Sequence, residues 1–94
     1  MKFTLGQLVA TPGALAALET ACESALKYVK RHVNGDWGIV GKEDAKSNDD
    51  AVKVGERILS AYLLSSGVKI WIITEAKDEK GNRLCTTVLL PEEY

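Results

Sequence analysis

A histidine, two arginines, a glutamate, a threonine and two tryptophans are the residues of this chain whose types could do chemistry: His32, Arg57, Arg83, Glu75, Thr87, Trp37 and Trp71. Together they supply what metal-free RNA cleavage needs. In that reaction a ribose 2′-hydroxyl attacks the adjacent phosphorus, which requires a base, an acid and cations that stabilise the pentavalent oxyphosphorane. On this reading Glu75 and His32 transfer protons, Arg57, Arg83 and Thr87 bind phosphate, and Trp71 and Trp37 stack bases. Each residue also has an ordinary role. Arg57, Glu75 and Arg83 can form a surface ion network worth about 0–1 kcal/mol per pair. His32 can be a surface or capping histidine, and the tryptophans can be packing anchors. Asp36, ahead of Trp37-Gly38, reads as a turn-former that bonds its own backbone rather than as a base.

Composition narrows the setting of that chemistry. Ninety-four residues, 46% hydrophobic and 27% charged, make a single globular domain spanning 1–94. A net charge of −1 provides no global field for nucleic acid or an anionic membrane, so any polyanion site is local. No apolar run approaches the roughly 20 residues that span a bilayer, and the N-terminus lacks a signal-peptide pattern. A cytoplasmic protein without a membrane partner is expected. The sequence carries no cofactor fingerprint and no metal-ligand spacing. Cys22 and Cys85 fall in apolar contexts and read as buried, reduced core residues.

The elements that must position these groups follow from periodicity. Phe3 to Val9 is a short apolar lead-in, readable as an edge strand interrupted by Gly6. Thr11-Pro12 starts a helix with a hydroxyl cap and proline at its first position. Its apolar stripe is Leu15, Leu18 and Cys22. Ser24 caps a second helix, Ala25 to Val33, with the stripe Leu26, Val29 and Val33. At about 100° per residue, His32 lies roughly 90° from that stripe's centre, a boundary position. Asn34-Gly35 ends the helix, and Gly41 to Val54 reads as a weakly supported surface helix or a flexible loop.

From Glu56 the period becomes two. Ile70-Trp71-Ile72-Ile73-Thr74 is the strongest strand signal, suited to the centre of a sheet. Ser65-Ser66-Gly67 suits a three-residue hairpin loop that pairs Leu64 with Val68 and Arg57 with Glu75. A two-residue loop would place Ile58 opposite Glu75, and the first register is the more consistent in charge. One face then carries Ile58, Ser60, Tyr62, Ile70, Ile72 and Thr74, and helices should cover it. The other carries Arg57, Trp71, Ile73 and Glu75, joined by Arg83, Cys85 and Thr87 if the third strand, Leu84 to Leu90, brings Arg83 near Glu75. The expected fold is α+β, with two or three N-terminal helices packed on one face of an antiparallel three- to four-stranded meander.

Arg31-His32-Val33, Gly35-Asp36-Trp37-Gly38, Asn48, Ser60-Ala61-Tyr62, Ile70 to Glu75, Arg83, Thr86-Thr87 and Leu90-Pro91-Glu92-Glu93-Tyr94 together resemble a set of small uncharacterised bacterial proteins. These are often borne on plasmids or mobile elements and carry labels such as plasmid-related or restriction-subunit-like protein. The resemblance brings no established activity. The order of helices followed by a meander is more loosely similar to the barnase, EndoU, colicin and RelE-type ribonuclease fold, whose members work without metal. Two function classes stand: a metal-free RNA-binding or ribonuclease-like, toxin-type element, and a non-enzymatic protein-interaction module acting as a small homo-oligomer. The second would use the open sheet face or the Thr86 to Leu90 edge.

Overall fold

The computed structural model describes all 94 residues. In chain order it has β1 (Gln7–Ala10), α1 (Pro12–Thr20), α2 (Ala25–Val33), α3 (Lys42–Val54), β2 (Ile58–Leu63), β3 (Lys69–Thr74), β4 (Cys85–Leu89) and a closing 3-10 turn, Pro91–Glu93. The class is α+β, but the sheet is mixed rather than antiparallel. Its order is β1-β4-β3-β2, and β1 runs parallel to β4. β4 is therefore an interior strand, and Thr86 to Leu90 is no edge.

The hairpin takes the register that charge favours. Ile58 pairs with Thr74 and Leu63 with Lys69, which sets Arg57 opposite Glu75. Leu64 donates its N–H to Val68 across the Ser65-Ser66-Gly67 loop at 2.8 Å. β4 continues the meander with Thr74 opposite Thr86 and Trp71 opposite Leu89.

The helix starts follow local chemistry. The Thr11 hydroxyl accepts the Ala14 N–H at 3.1 Å and the Ser24 hydroxyl accepts the Leu26 N–H at 3.2 Å. The buried faces differ from the expected stripes. α1 buries Ala14 and Leu18 and exposes Leu15, while α2 buries Tyr28, Val29, His32 and Val33 and exposes Leu26. Alanine allows the closer approach of α1 to the sheet, and on α2 the aromatic rings outweigh Leu26 as core material. Cys22 is exposed at φ 56 and Cys85 is half-buried, so neither is a core residue.

Two apolar clusters join the layers. Ala14, Leu18, Tyr28 and Val29 meet Tyr62, Ile70, Ile72 and Val88; Phe3, Val33, Trp37 and Ala51 meet Ile58. Both lie on the face that alternation marks as the core. α3 is a full helix of 13 residues, with acidic Glu43 and Asp44 in its first turn, Lys53 in its last, and Gly55 ending it at φ +87.

α3 also seals one edge of the sheet. The buried Asn48 amide brackets the Leu59 backbone, donating to its carbonyl at 2.8 Å and accepting its N–H at 3.1 Å. One step along, the Ala61 N–H reaches the Trp37 carbonyl at 3.1 Å and the Ile39 N–H reaches the Ala61 carbonyl at 2.8 Å. The close pass requires glycine at position 38: its φ is +75, and a Cβ would lie 1.9 Å from the Ala61 oxygen. Replacing Asn48 by Ala leaves both Leu59 groups without their partner. We expect Asn48→Ala to cost about 2–3 kcal/mol in urea unfolding, well above an exposed substitution such as Asn82→Ala.

Candidate functional site

The polar groups of the core converge on His32. Alternation aims Ser60, Thr74 and Thr86 at the helix layer, and α2 inserts His32 among them. Its Nδ1 lies 2.5 Å from the Ser60 hydroxyl and its Nε2 lies 2.8 Å from the Thr74 hydroxyl. Thr74 lies 2.7 Å from Thr86, and Thr86 donates to the Leu5 carbonyl at 2.8 Å. The terminal carbonyl fixes every proton, because a hydroxyl has one hydrogen to give. Thr86 uses its hydrogen on Leu5, so Thr74 donates to Thr86 and accepts from Nε2–H. Nδ1 then accepts from Ser60. The imidazole is the neutral Nε2–H tautomer, and the whole chain donates in one direction.

A serine hydroxyl beside an imidazole is the arrangement that activates a nucleophile. Here it is enclosed. His32, Ser60, Thr74 and Thr86 are all 0% exposed, and Phe3 and Trp37 pack edge-on against the imidazole at centroid distances of 5.2 and 6.0 Å. The one surface depression lies elsewhere, lined by Lys2, Asp49, Val52 and Lys53. Burial, with the nearby Arg83 charge, lowers the His32 pKa to about 4. His32 is thus an interior group rather than the boundary residue expected from its helix angle, since the face centred on Tyr28, Val29 and Val33 takes it inside.

Arg83 also turns inward. Its guanidinium donates to the carbonyls of Glu56, Glu75 and Ala51 at 2.7, 2.9 and 3.1 Å and stacks over the Phe3 ring at 5.7 Å. Arg83 lies opposite Lys77 in an isolated bridge two residues before β4 begins, outside the regular strand. The carbonyl at the end of α3 provides partial negative charge for a buried cation that has no carboxylate partner. Arg83 Nε is the one buried side-chain nitrogen or oxygen without a hydrogen bond.

The remaining candidates share the outer sheet face without forming the expected ion network. The structure's two salt bridges, Lys27–Glu23 and Arg31–Asp36, lie away from it. Arg57 is engaged by the C-terminal residue: Tyr94 meets Trp71 edge-on at 5.8 Å, and the Arg57 guanidinium stacks on the Tyr94 ring at 5.3 Å while bonding its hydroxyl. Glu93 holds this tail, accepting from the Thr11 hydroxyl at 2.6 Å and the Leu90 N–H at 2.8 Å. Trp71 and Thr87 are half-buried and Glu75 is exposed. Trp37 is buried on the opposite layer, its indole N–H on Asp49 at 3.0 Å, so it is no stacking platform. Asp36 is a turn residue that accepts the Gly38 N–H at 3.1 Å. The structure therefore brings Arg57, Trp71, Glu75 and Thr87 to one face and sets His32, Arg83 and Trp37 on the other side. No group of three or more His, Cys, Asp or Glu residues is placed to hold a metal ion.

The sequence reading named Ser60, Thr74, Thr86, Asn48 and Tyr94 without foreseeing the bonds they make. A signal existed for the first two, which are polar residues at core positions of alternating strands and so needed a buried partner. None marked Tyr94.

The His32 chain makes stability depend on pH. Its folded pKa of about 4 lies below the ordinary 6.5, so the advantage of the neutral form is complete above pH 6.5 and is lost as pH falls toward 4. Protonation would place a hydrogen on Nδ1 against the Ser60 hydroxyl, reversing that one link and depriving the Ser60 hydrogen of its acceptor. As His32 is the only histidine, urea unfolding from pH 7 to pH 4 should lose roughly 3 kcal/mol. Most of the slope between pH 6.5 and 5 should vanish in His32→Gln, whose amide gives and takes one bond without titrating. Arg83→Ala takes the side-chain donor from the Glu56 and Glu75 carbonyls, while Ala51 keeps its Gly55 and Glu56 N–H partners, and it opens a hole beside Phe3; it should cost about 3 kcal/mol or more at neutral pH.

Comparison of the chain with protein-family models, with curated proteins and with solved structures finds no match.

Proposed function

We propose that the protein is a non-enzymatic protein-interaction module that acts as a small homo-oligomer. One observation carries this reading. From Phe3 to Leu18 the chain has no charged residue, although 27% of the whole is charged, and between the buried Phe3, Ala14 and Leu18 much of the segment lies at the surface. Leu8, Val9 and Leu15 are 41%, 39% and 53% exposed, and Leu84, adjoining Gly6, is 65% exposed. An uncharged apolar surface of this kind matches another uncharged surface, and a second copy provides one. The enclosure of His32 and Arg83, both occupied with structural bonds, agrees with a role that needs no proton transfer.

An RNA-directed role draws its support from the outer face alone, where Arg57, Trp71, Tyr94 and Thr87 stand together with Lys69 at the strand end. A nuclease built there would have Glu75 and Arg57 but no histidine. Trp71 reports on this reading, because Trp37 is buried. Single-stranded RNA at low salt should quench Trp71 fluorescence if it binds there, with Arg57→Ala weakening the effect; an unchanged spectrum removes the RNA reading.

Light scattering on size-exclusion fractions, over protein concentrations from micromolar to millimolar, tests the main proposal. The expected mass is a small multiple of 10.2 kDa at the upper end of that range. A monomer throughout would overturn it.

A further inference from the structure

We infer that two copies join by pairing their β1 strands antiparallel about a two-fold axis, so that the two four-stranded sheets become one sheet of eight. The inference rests on the homo-oligomer reading and assigns the surface and register that this reading leaves open.

The sheet has two edges in very different states. At β2 the outward peptide groups of Leu59 and Ala61 are taken by Asn48, Trp37 and Ile39. At β1 nothing comparable happens. Gln7 and Thr11 donate to the Leu84 and Val88 carbonyls at 3.0 Å each, and Gln7 to Ala10 run in parallel register with Cys85 to Val88. A parallel ladder engages alternate residues, so Gln7, Val9 and Thr11 face β4 and the peptide groups of Leu8 and Ala10 point away from the sheet. Proteins ordinarily blunt such an edge with charge, proline or a bulge. Gln7-Leu8-Val9-Ala10 has none of these, and Pro12 acts only beyond the strand's end.

These facts select both the occupant and the register. The segment carries no charge that would prefer an oppositely charged partner, and it can face itself without repulsion. The antiparallel pairing that uses the free groups on both sides joins Leu8 of one copy to Ala10 of the other and Ala10 to Leu8, giving four main-chain hydrogen bonds. Val9 then lies opposite Val9 on the axis as a non-hydrogen-bonded pair, the closer kind of cross-strand neighbour. Pairing stops one step further on, because Pro12 has no N–H to donate to Gly6. Leu8 falls on the helix side of the seam, the side from which α1 and its exposed Leu15 leave β1. Two such edges bring apolar side chains together on both faces of the joined sheet.

The experiment uses the full-length chain with three variants, in a Cys22→Ser, Cys85→Ser background for the crosslinking arm. Val9→Cys should form a covalent dimer rapidly under mild oxidation, and Leu26→Cys, on α2 and more exposed than Val9, should not. Val9→Lys places two ammonium groups face to face at the axis. It should weaken dimerisation by about 100-fold or more in sedimentation equilibrium, while its circular dichroism stays near wild type because Val9 is already at the surface. A wild-type chain that is monomeric at every concentration overturns both the homo-oligomer reading and this assembly. A dimer that survives Val9→Lys unchanged, with no crosslink through Val9→Cys, overturns the β1 assembly and leaves the homo-oligomer reading standing. A monomer whose Val9→Cys thiol is alkylated as fast as a free peptide thiol has an open β1 edge, and it overturns the second copy as occupant.

Discussion

The structure depends on one directed chain of hydrogen bonds: Ser60 to His32, His32 to Thr74, Thr74 to Thr86, and Thr86 to the Leu5 carbonyl. Those five residues lie on β2, α2, β3, β4 and the lead-in to β1, so the chain ties together every layer but α1 and α3. Apolar packing alone specifies such an arrangement weakly, because many shapes of the right volume can fill a core. A row of hydroxyls that must each find one donor and one acceptor tolerates far fewer. Its terminal acceptor is the backbone of Leu5, which explains how a short strand with little core of its own finds its place beside β4.

The same economy governs the other interior polar groups. Asn48 takes up the backbone of Leu59, Tyr62 donates to the Asp36 carbonyl at 2.6 Å, and Arg83 gathers three carbonyls at the meeting of α3, β3 and the β4 approach. In a chain of 94 residues the apolar core is small. Loops that would otherwise carry unpaired backbone groups are held instead by side chains from distant segments. His32 and Arg83, residues with catalytic potential by type, are among the groups that tie the interior together. The Arg83 guanidinium, bonded to three carbonyls, and the His32 imidazole, kept neutral by burial, both lie inside the core rather than at the surface.

Local chemistry was legible in the sequence, and long-range geometry was not. Thr11-Pro12 and Ser24 set the helix starts through their own hydroxyls, and Ser65-Ser66-Gly67 with the Arg57–Glu75 pairing set the hairpin register, because each rests on residues close in sequence or on a period of two. The parallel pairing of β1 with β4 joins segments nearly eighty residues apart, and no local pattern encodes it. Helix faces failed for a definable reason. On α2 the leucine at position 26 competes with Tyr28 and His32, and tertiary packing chose the rings because hydroxyl partners waited for the imidazole on the sheet. Arg83 failed because alternation was carried from β4 back through Leu84, past the point where the strand begins.

The contrast between the two sheet edges follows from the order of elements. β2 comes directly after α3, so a helix and the Trp37 turn are at hand to cover its outer side, and Asn48 needs only one face of α3 to reach Leu59. β1 comes first and passes straight into α1, which is drawn inward by Ala14 and Leu18 onto the core face. Within these 94 residues no other strand lies on its outer side, and the Pro91–Tyr94 segment folds over Trp71, with Glu93 bonded to Thr11. The uncharged character of Phe3 to Leu18 is then a property of a strand whose outer side lacks a partner within its own chain. For such an edge, antiparallel self-pairing satisfies the Leu8 and Ala10 peptide groups on the outer side, as the parallel ladder with β4 satisfies those of Gln7 and Val9 on the inner side.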